Sequence, residues 1–253
     1  MARVISVSNQ KGGVGKTTTT CSLAAGLKKK GFRVLMIDMD PQGNLGFSAG
    51  ADTEISATVY DVLKGEVRLQ FAIQKTETAD MIVSSILLSG IELEFTKTGR
   101  EFLLREALKP VMGYYDYILI DTPPNLGILT INAFAASNEI VVPMLPDIFS
   151  LQGISQLYET VERVKKYCNP ILSISGILLT KYSPRSLLSR EIRGTAELIA
   201  ADLNIPIFKS CIRNSIVASE AQSVQQNLFQ YAPKNNVAKD YLQFMEELLA
   251  KGR

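Results

Sequence analysis

Apolar and polar positions follow two rhythms along the chain. The first is a set of short, nearly unbroken apolar runs: Val4 to Val7, Val34 to Ile37, Ile118 to Ile120 and Ile140 to Val142. Runs apolar on both sides belong in a parallel sheet covered on both faces. Ile174 to Thr180 fits the same class, and Met81 to Ser84 is a shorter candidate strand. The second rhythm is helical. It places Leu23, Ala24 and Leu27 on one face within 17–30, runs through 151–167, and returns in Tyr241, Leu242, Met245, Leu248 and Leu249. Shorter helices are expected at 58–65, stopped by Gly65, and across 101–111. Strands alternating with helices long enough to cross over predict an α/β fold, a doubly wound, mostly parallel sheet with helices on both faces. Neither an internal repeat nor a low-complexity linker breaks the pattern, so residues 1–253 are expected to form one domain.

Three of the apolar runs end in residues that carry chemistry. After Val7 comes Ser8-Asn9-Gln10-Lys11-Gly12-Gly13-Val14-Gly15-Lys16-Thr17-Thr18, which leads into the first helical stretch. Glycines at 12, 13 and 15 free the backbone to aim successive N–H groups at an anion, and the following helix adds the positive end of its dipole. Lys16 can reach the β- and γ-phosphates of a nucleotide, and the Thr17 hydroxyl can ligate Mg²⁺. The strict P-loop pattern fails at Gln10, where its first glycine falls, and Lys11 adds a second cation at the loop entrance. The second run ends in Asp38-Met39-Asp40-Pro41-Gln42-Gly43-Asn44, a turn able to present carboxylates. The third closes on Asp121-Thr122-Pro123-Pro124, where an acid at the carboxyl end of a strand can hold Mg²⁺ through water.

The loop Lys11-Gly12-Gly13-Val14-Gly15-Lys16-Thr17-Thr18 resembles the deviant Walker A loop of the ParA/MinD family of P-loop ATPases. The resemblance runs from the first strand to the final helix and is nearest to short ParA/Soj-type proteins. It implies an Mg²⁺-dependent ATPase that forms a homodimer around ATP, with Lys11 reaching the nucleotide of the other subunit. It implies that Lys11, Lys16 and Asp40 are catalytic, Asp40 by orienting the attacking water. Thr17, Asp40 and Asp121 would manage the metal, with Asp38 a further metal-shell carboxylate, and 122–127 would sense the γ-phosphate. Arg213 and Asn214 resemble the segment beside the adenine.

Composition narrows the chemistry. With no histidine, any reaction must use carboxylates, lysines or backbone groups. The net charge of +2 does not mark a strong polyanion binder, so contact with DNA would need a local patch. Lys181, Arg185, Arg190 and Arg193, joined by Lys209 and Arg213, offer one that could track phosphates without reading bases. The resemblance implies non-specific DNA binding by the ATP-bound dimer and stimulation by a ParB-type centromere-binding partner, although Ile216 and Val217 are apolar where many relatives are basic. Cys21, Cys168 and Cys211 lie far apart and are expected to be buried thiols, which argues against an iron–sulfur reductase of the same superfamily. A MinD-like, membrane-cycling role is the alternative; Asp240, Glu246 and Glu247 on the last helix would be repelled by anionic lipid. The phosphate loop starts so early that no helix-turn-helix domain is expected before it. A cytoplasmic, nucleoid-associated protein is expected.

Overall fold

The apolar runs become strands and the amphipathic stretches helices in the computed structural model, which describes residues 1–54 and 57–251. In chain order, β1 (Arg3–Val7) leads through the phosphate loop into α1 (Lys16–Lys29) and then β2 (Val34–Asp38). Next come α2 (Asn44–Ser48), α3 (Val59–Lys64), β3 (Gln74–Lys75), β4 (Asp80–Ile82), α4 (Ile91–Glu94) and α5 (Leu103–Leu108). The middle of the chain supplies β5 (Tyr117–Asp121), α6 (Ile128–Ala136), β6 (Glu139–Met144), α7 (Ile148–Tyr167) and β7 (Ser173–Tyr182). The last part holds α8 (Leu187–Asp202), β8 (Ile207–Arg213), α9 (Val217–Ser223), α10 (Leu228–Tyr231) and α11 (Asn236–Lys251).

The strands form one sheet in the order β3-β4-β2-β5-β1-β6-β7-β8, parallel throughout except for the β3–β4 pair. Both faces are covered, as the continuous apolar runs require. Ile5 and Leu119 pack on one face against Leu23 and Leu27 of α1 and Phe244 and Leu248 of α11. On the other, Val4, Ile118 and Ile120 meet Leu63, Leu104 and Ala133, while Val142 and Leu179 meet Leu157 of α7 and Ile192 of α8. Register fixes the working end. Val7 stands level with Asp121 and Asp121 with Asp38, so the phosphate loop and both acidic loops leave the sheet side by side at its carboxyl edge.

Several local expectations change in detail. The stretch 101–111 is not one helix but a 3₁₀ turn at Arg100–Phe102, the short α5 and a second 3₁₀ turn at Lys109–Val111. Pro110 cannot donate to the preceding turn and so ends the α-helix. Strand β7 carries a bulge: Ile140 pairs with Ile174 but Val141 with Gly176. Gly176 is needed there, because a Cβ would lie 2.9 Å from the Phe208 ring and 3.0 Å from the Pro206 carbonyl oxygen.

The acids of α11 have a structural use. Strand β8 is an edge strand, and Glu247 accepts its Lys209 and Ser210 N–H groups at 2.8 and 2.9 Å. Asp240 accepts the Arg213 N–H and both guanidinium arms. The final helix thus covers an exposed row of strand donors with carboxylates. Glu246 pairs with Lys30. Among the described residues, no helix is long and apolar enough to cross a membrane.

Candidate functional site

The phosphate loop takes its shape from backbone conformations that its glycines permit. Gly13 and Gly15 have φ of +72° and +88°, and Gly15 is the residue from which α1 starts. Nothing lies within 4 Å of where a Cβ would sit on Gly12 or Gly13. Neighbouring strands brace it. Thr180, near the end of β7, donates to the Val14 carbonyl at 2.8 Å, and Asn9 donates to Pro143 at 2.7 Å while accepting the Lys11 N–H.

Beneath the loop lies a crowded charge cluster. Lys16 is buried and donates to the Lys11 carbonyl at 3.1 Å. The Thr17 hydroxyl donates to Asp121 Oδ2 at 2.6 Å, and Asp121 Oδ1 is buried with no hydrogen-bond partner. Burial raises the Asp121 carboxyl to about 7 despite the opposing Thr17 hydrogen bond and the Lys16 charge. Burial likewise lowers the Lys16 ammonium, which Asp121 and Asp40 partly counteract. A carboxylate oxygen left unsatisfied among the described residues, on a side chain that meets the Thr17 hydroxyl at the start of α1, fits a hydrated divalent cation carried by a phosphate chain.

The acidic loop after β2 divides its two carboxylates. Asp38 accepts the Asp40 N–H on one oxygen and those of Leu45 and Gly46 on the other. It organises the loop and the start of α2. Burial and the Asp121 charge hold its carboxyl well above the ordinary range. Asp40 accepts the Gln42 N–H on Oδ1, and its carbonyl is tied down by the Ser84 hydroxyl at 2.5 Å.

Lys11 lies at the entrance and does not join that cluster. Its ammonium meets Asp147 Oδ2 at 2.6 Å and lies 5.7 Å from the Phe149 ring centre. The other Asp147 oxygen caps α7 by accepting the Ser150 N–H at 2.9 Å. Burial works against the Asp147 charge, but Lys11 and that N–H outweigh it and hold the carboxyl below its usual range.

The basic candidates separate. A cleft of about 560 Å³ at the ends of β7 and β8 is lined by Tyr182, Arg185, Arg213, Asn214 and Asp240. Lys181 near the end of β7, Arg185 in the following loop and Arg190 in the first turn of α8 are exposed. Arg193 turns inward from its expected face, donating to Glu197 and to Cys211 Sγ, and Arg213 is bound to Asp240. Lys209 is exposed farther down β8. The cysteines are not uniformly buried either: Cys21 is, whereas Cys168 and Cys211 are half-buried near the ends of α7 and β8. A roomier cleft, about 710 Å³, opens at the opposite edge of the sheet, but its polar groups are already matched, Tyr115 to Asp80 and Arg33 to Asp116.

The braces Asn9, Asp147, Thr180 and Ser84 are not legible as site residues in the sequence. Asp147 signals only a helix start, and the other three act across strands distant in the chain.

Comparison with known proteins supplies a context for this geometry. Residues 2–174 match a family described as an AAA domain. Over 256 residues the chain is 39% identical to the sporulation initiation inhibitor protein Soj of Bacillus subtilis, covering 100% of both. It is also 39% identical over 257 residues to the chromosome partitioning protein ParA of Caulobacter vibrioides, covering 99% of this chain and 95% of that one. A solved structure of cobyrinic acid a,c-diamide synthase from Mycobacterium smegmatis, with bound ADP and magnesium, superposes with a TM-score of 0.87 at 34% identity, covering 100% and 97%.

Proposed function

Because the chain belongs to the ParA/Soj family of P-loop ATPases, we propose that it partitions plasmids or chromosomes as an ATP-switched dimer. It hydrolyses ATP and uses Mg²⁺. In this reading two copies pair over ATP, bind DNA of any sequence, and leave it after hydrolysis stimulated by a ParB-type centromere-binding protein. The work is done in the cytoplasm, on the nucleoid.

The observation that carries the reading is the alignment of three loops by strand register, with Thr17 on Asp121 and one buried carboxylate oxygen left unsatisfied. The N–H groups of residues 12–18 cradle the triphosphate, and Lys16 leaves the Lys11 carbonyl to stabilise phosphoryl charge. Thr17 and Asp121 would hold Mg²⁺, which would supply positive charge to offset that of the phosphates. Asp40, with its backbone fixed by Ser84, orients the attacking water, and the turn at 122–127 registers the γ-phosphate. Lys11 reaches the nucleotide of the second copy. Arg213 and Asn214 lie beside the base, while Lys181, Arg185 and Arg190 present the most accessible cations to DNA phosphates, with Arg193, Lys209 and Arg213 flanking them. Unlike a MinD-type targeting helix, α11 keeps Asp240 and Glu247 tied to β8, which favours the partitioning reading over membrane cycling.

Light scattering of the Asp40→Ala protein, which should retain ATP, tests the switch. A dimer with ATP–Mg²⁺ and a monomer with ADP support it, whereas one mass under all nucleotide conditions refutes it.

A further inference from the structure

We propose that Asp147 is a positioning residue that holds Lys11 withdrawn in the single chain, so that two copies pair over nucleotide only after the Lys11–Asp147 contact opens. The inference rests on the reading above, in which Lys11 serves the second copy's nucleotide.

The Lys11 ammonium is 2.6 Å from Asp147 Oδ2 within one chain. Held there it is committed to a partner in its own chain, and crossing to a phosphate held by another copy means exchanging that partner. Hydrogen bonds hold the backbone of Lys11 and the side chain of Asp147. The Lys11 backbone N–H is held by Asn9 and its carbonyl by Lys16. Asp147 does not depend on Lys11 for its place: it caps a 20-residue helix whose Leu151, Ile154, Leu157 and Val161 lie in the core. The Lys11 and Asp147 side chains are 32% and 31% exposed, so water can compete for the contact and it is a bias rather than a lock.

The same bonds connect the contact to nucleotide. Lys16 donates to the Lys11 carbonyl in the single chain; turning toward phosphates removes that bond and loosens the residue that carries the withdrawn ammonium. Beside it, Ile148 and Phe149 are 61% and 70% exposed, an apolar pair that a second copy would cover as Lys11 swings across.

The test uses the full chain in an Asp40→Ala background with ATP–Mg²⁺, following dimer formation by sedimentation over a range of protein concentrations. Asp147→Asn keeps an acceptor for the Ser150 N–H but removes the charge. Its concentration of half-dimerisation should fall about twofold to thirtyfold, since two partly exposed ion pairs, each worth about 1.4- to 5-fold, open per dimer. That gain should shrink as salt is raised, and Asp147→Glu should return the parent behaviour. Thermal unfolding of Asp147→Asn checks that the cap survives. Dimerisation of Asp147→Asn at the parent's concentration or a higher one, with unfolding unchanged, overturns the proposal. A parent that stays monomeric with ATP at every concentration overturns the pairing itself, and the proposal with it.

Discussion

At the scale of single residues, the site is built at the expense of stability. Asp121 and Asp38 are both buried and both held above their ordinary range, with Lys16 the nearby cation that offsets Asp121. Asp121→Asn should therefore lower Mg²⁺-dependent ATP turnover about a hundredfold or more. It should also raise the melting temperature of the nucleotide-free protein by about 2–4 °C, as relief of roughly 1 kcal/mol would do in a chain of this size. Turnover assays and calorimetry check the two halves; a variant that loses both activity and stability would mean that Asp121 is a structural acid. The phosphate loop could be read directly because its chemistry is local, each residue's role following from its neighbours. Asp38 could not: its carboxylate is consumed by N–H groups at positions 40, 45 and 46, a result of how the loop folds back rather than of its composition.

At the scale of elements, the edge of the sheet depends on one helix. Glu247 accepts two β8 N–H groups, so Glu247→Ala should cost about 1–3 kcal/mol, read as a shift in the urea midpoint without loss of ATP binding. Burial opposes the Glu247 charge, but these N–H groups overcome it and hold the carboxyl below its usual range. Its folded value lies below its unfolded one, so the stabilisation is complete above the unfolded value of about 4.3 and is lost as pH falls through the folded value. Glu247→Gln should accordingly flatten stability against pH below about 5, relative to the parent. In β7, Gly176→Ala would drive a Cβ against the Pro206 carbonyl and should destabilise by about 1–3 kcal/mol in the same urea assay. The long elements were legible because periodicity accumulates over many residues, as in α7 and α11. The short pieces between 100 and 111 and the bulge at Gly176 were not, since each depends on a single residue meeting a distant part of the chain.

For the whole molecule, the fold class followed from strands alternating with helices, but the strand order did not. Nothing in the chain's pattern places β1 between β5 and β6, or brings Val7, Asp121 and Asp38 into one row. That row makes three separate motifs one site, and the exposed Lys181, Arg185 and Arg190 lie at the carboxyl end of the parallel strand β7, in the loop after it and in the first turn of α8. A change in nucleotide thus occurs on the side of the molecule that carries the candidate DNA surface. Of the six basic candidates, Arg193 and Arg213 are already engaged by Glu197 and Asp240. Arg190→Ala should therefore weaken DNA binding more than Arg193→Ala, as titration of each variant would show. The most direct measurement is binding of the Asp40→Ala protein to a duplex of unrelated sequence, by fluorescence anisotropy, with ATP–Mg²⁺, with ADP–Mg²⁺ and without nucleotide. Binding should occur with ATP alone and fall roughly a hundredfold between about 50 and 200 mM salt if some four phosphates are neutralised per dimer. Dimers that form on ATP yet bind no DNA at any salt would contradict it.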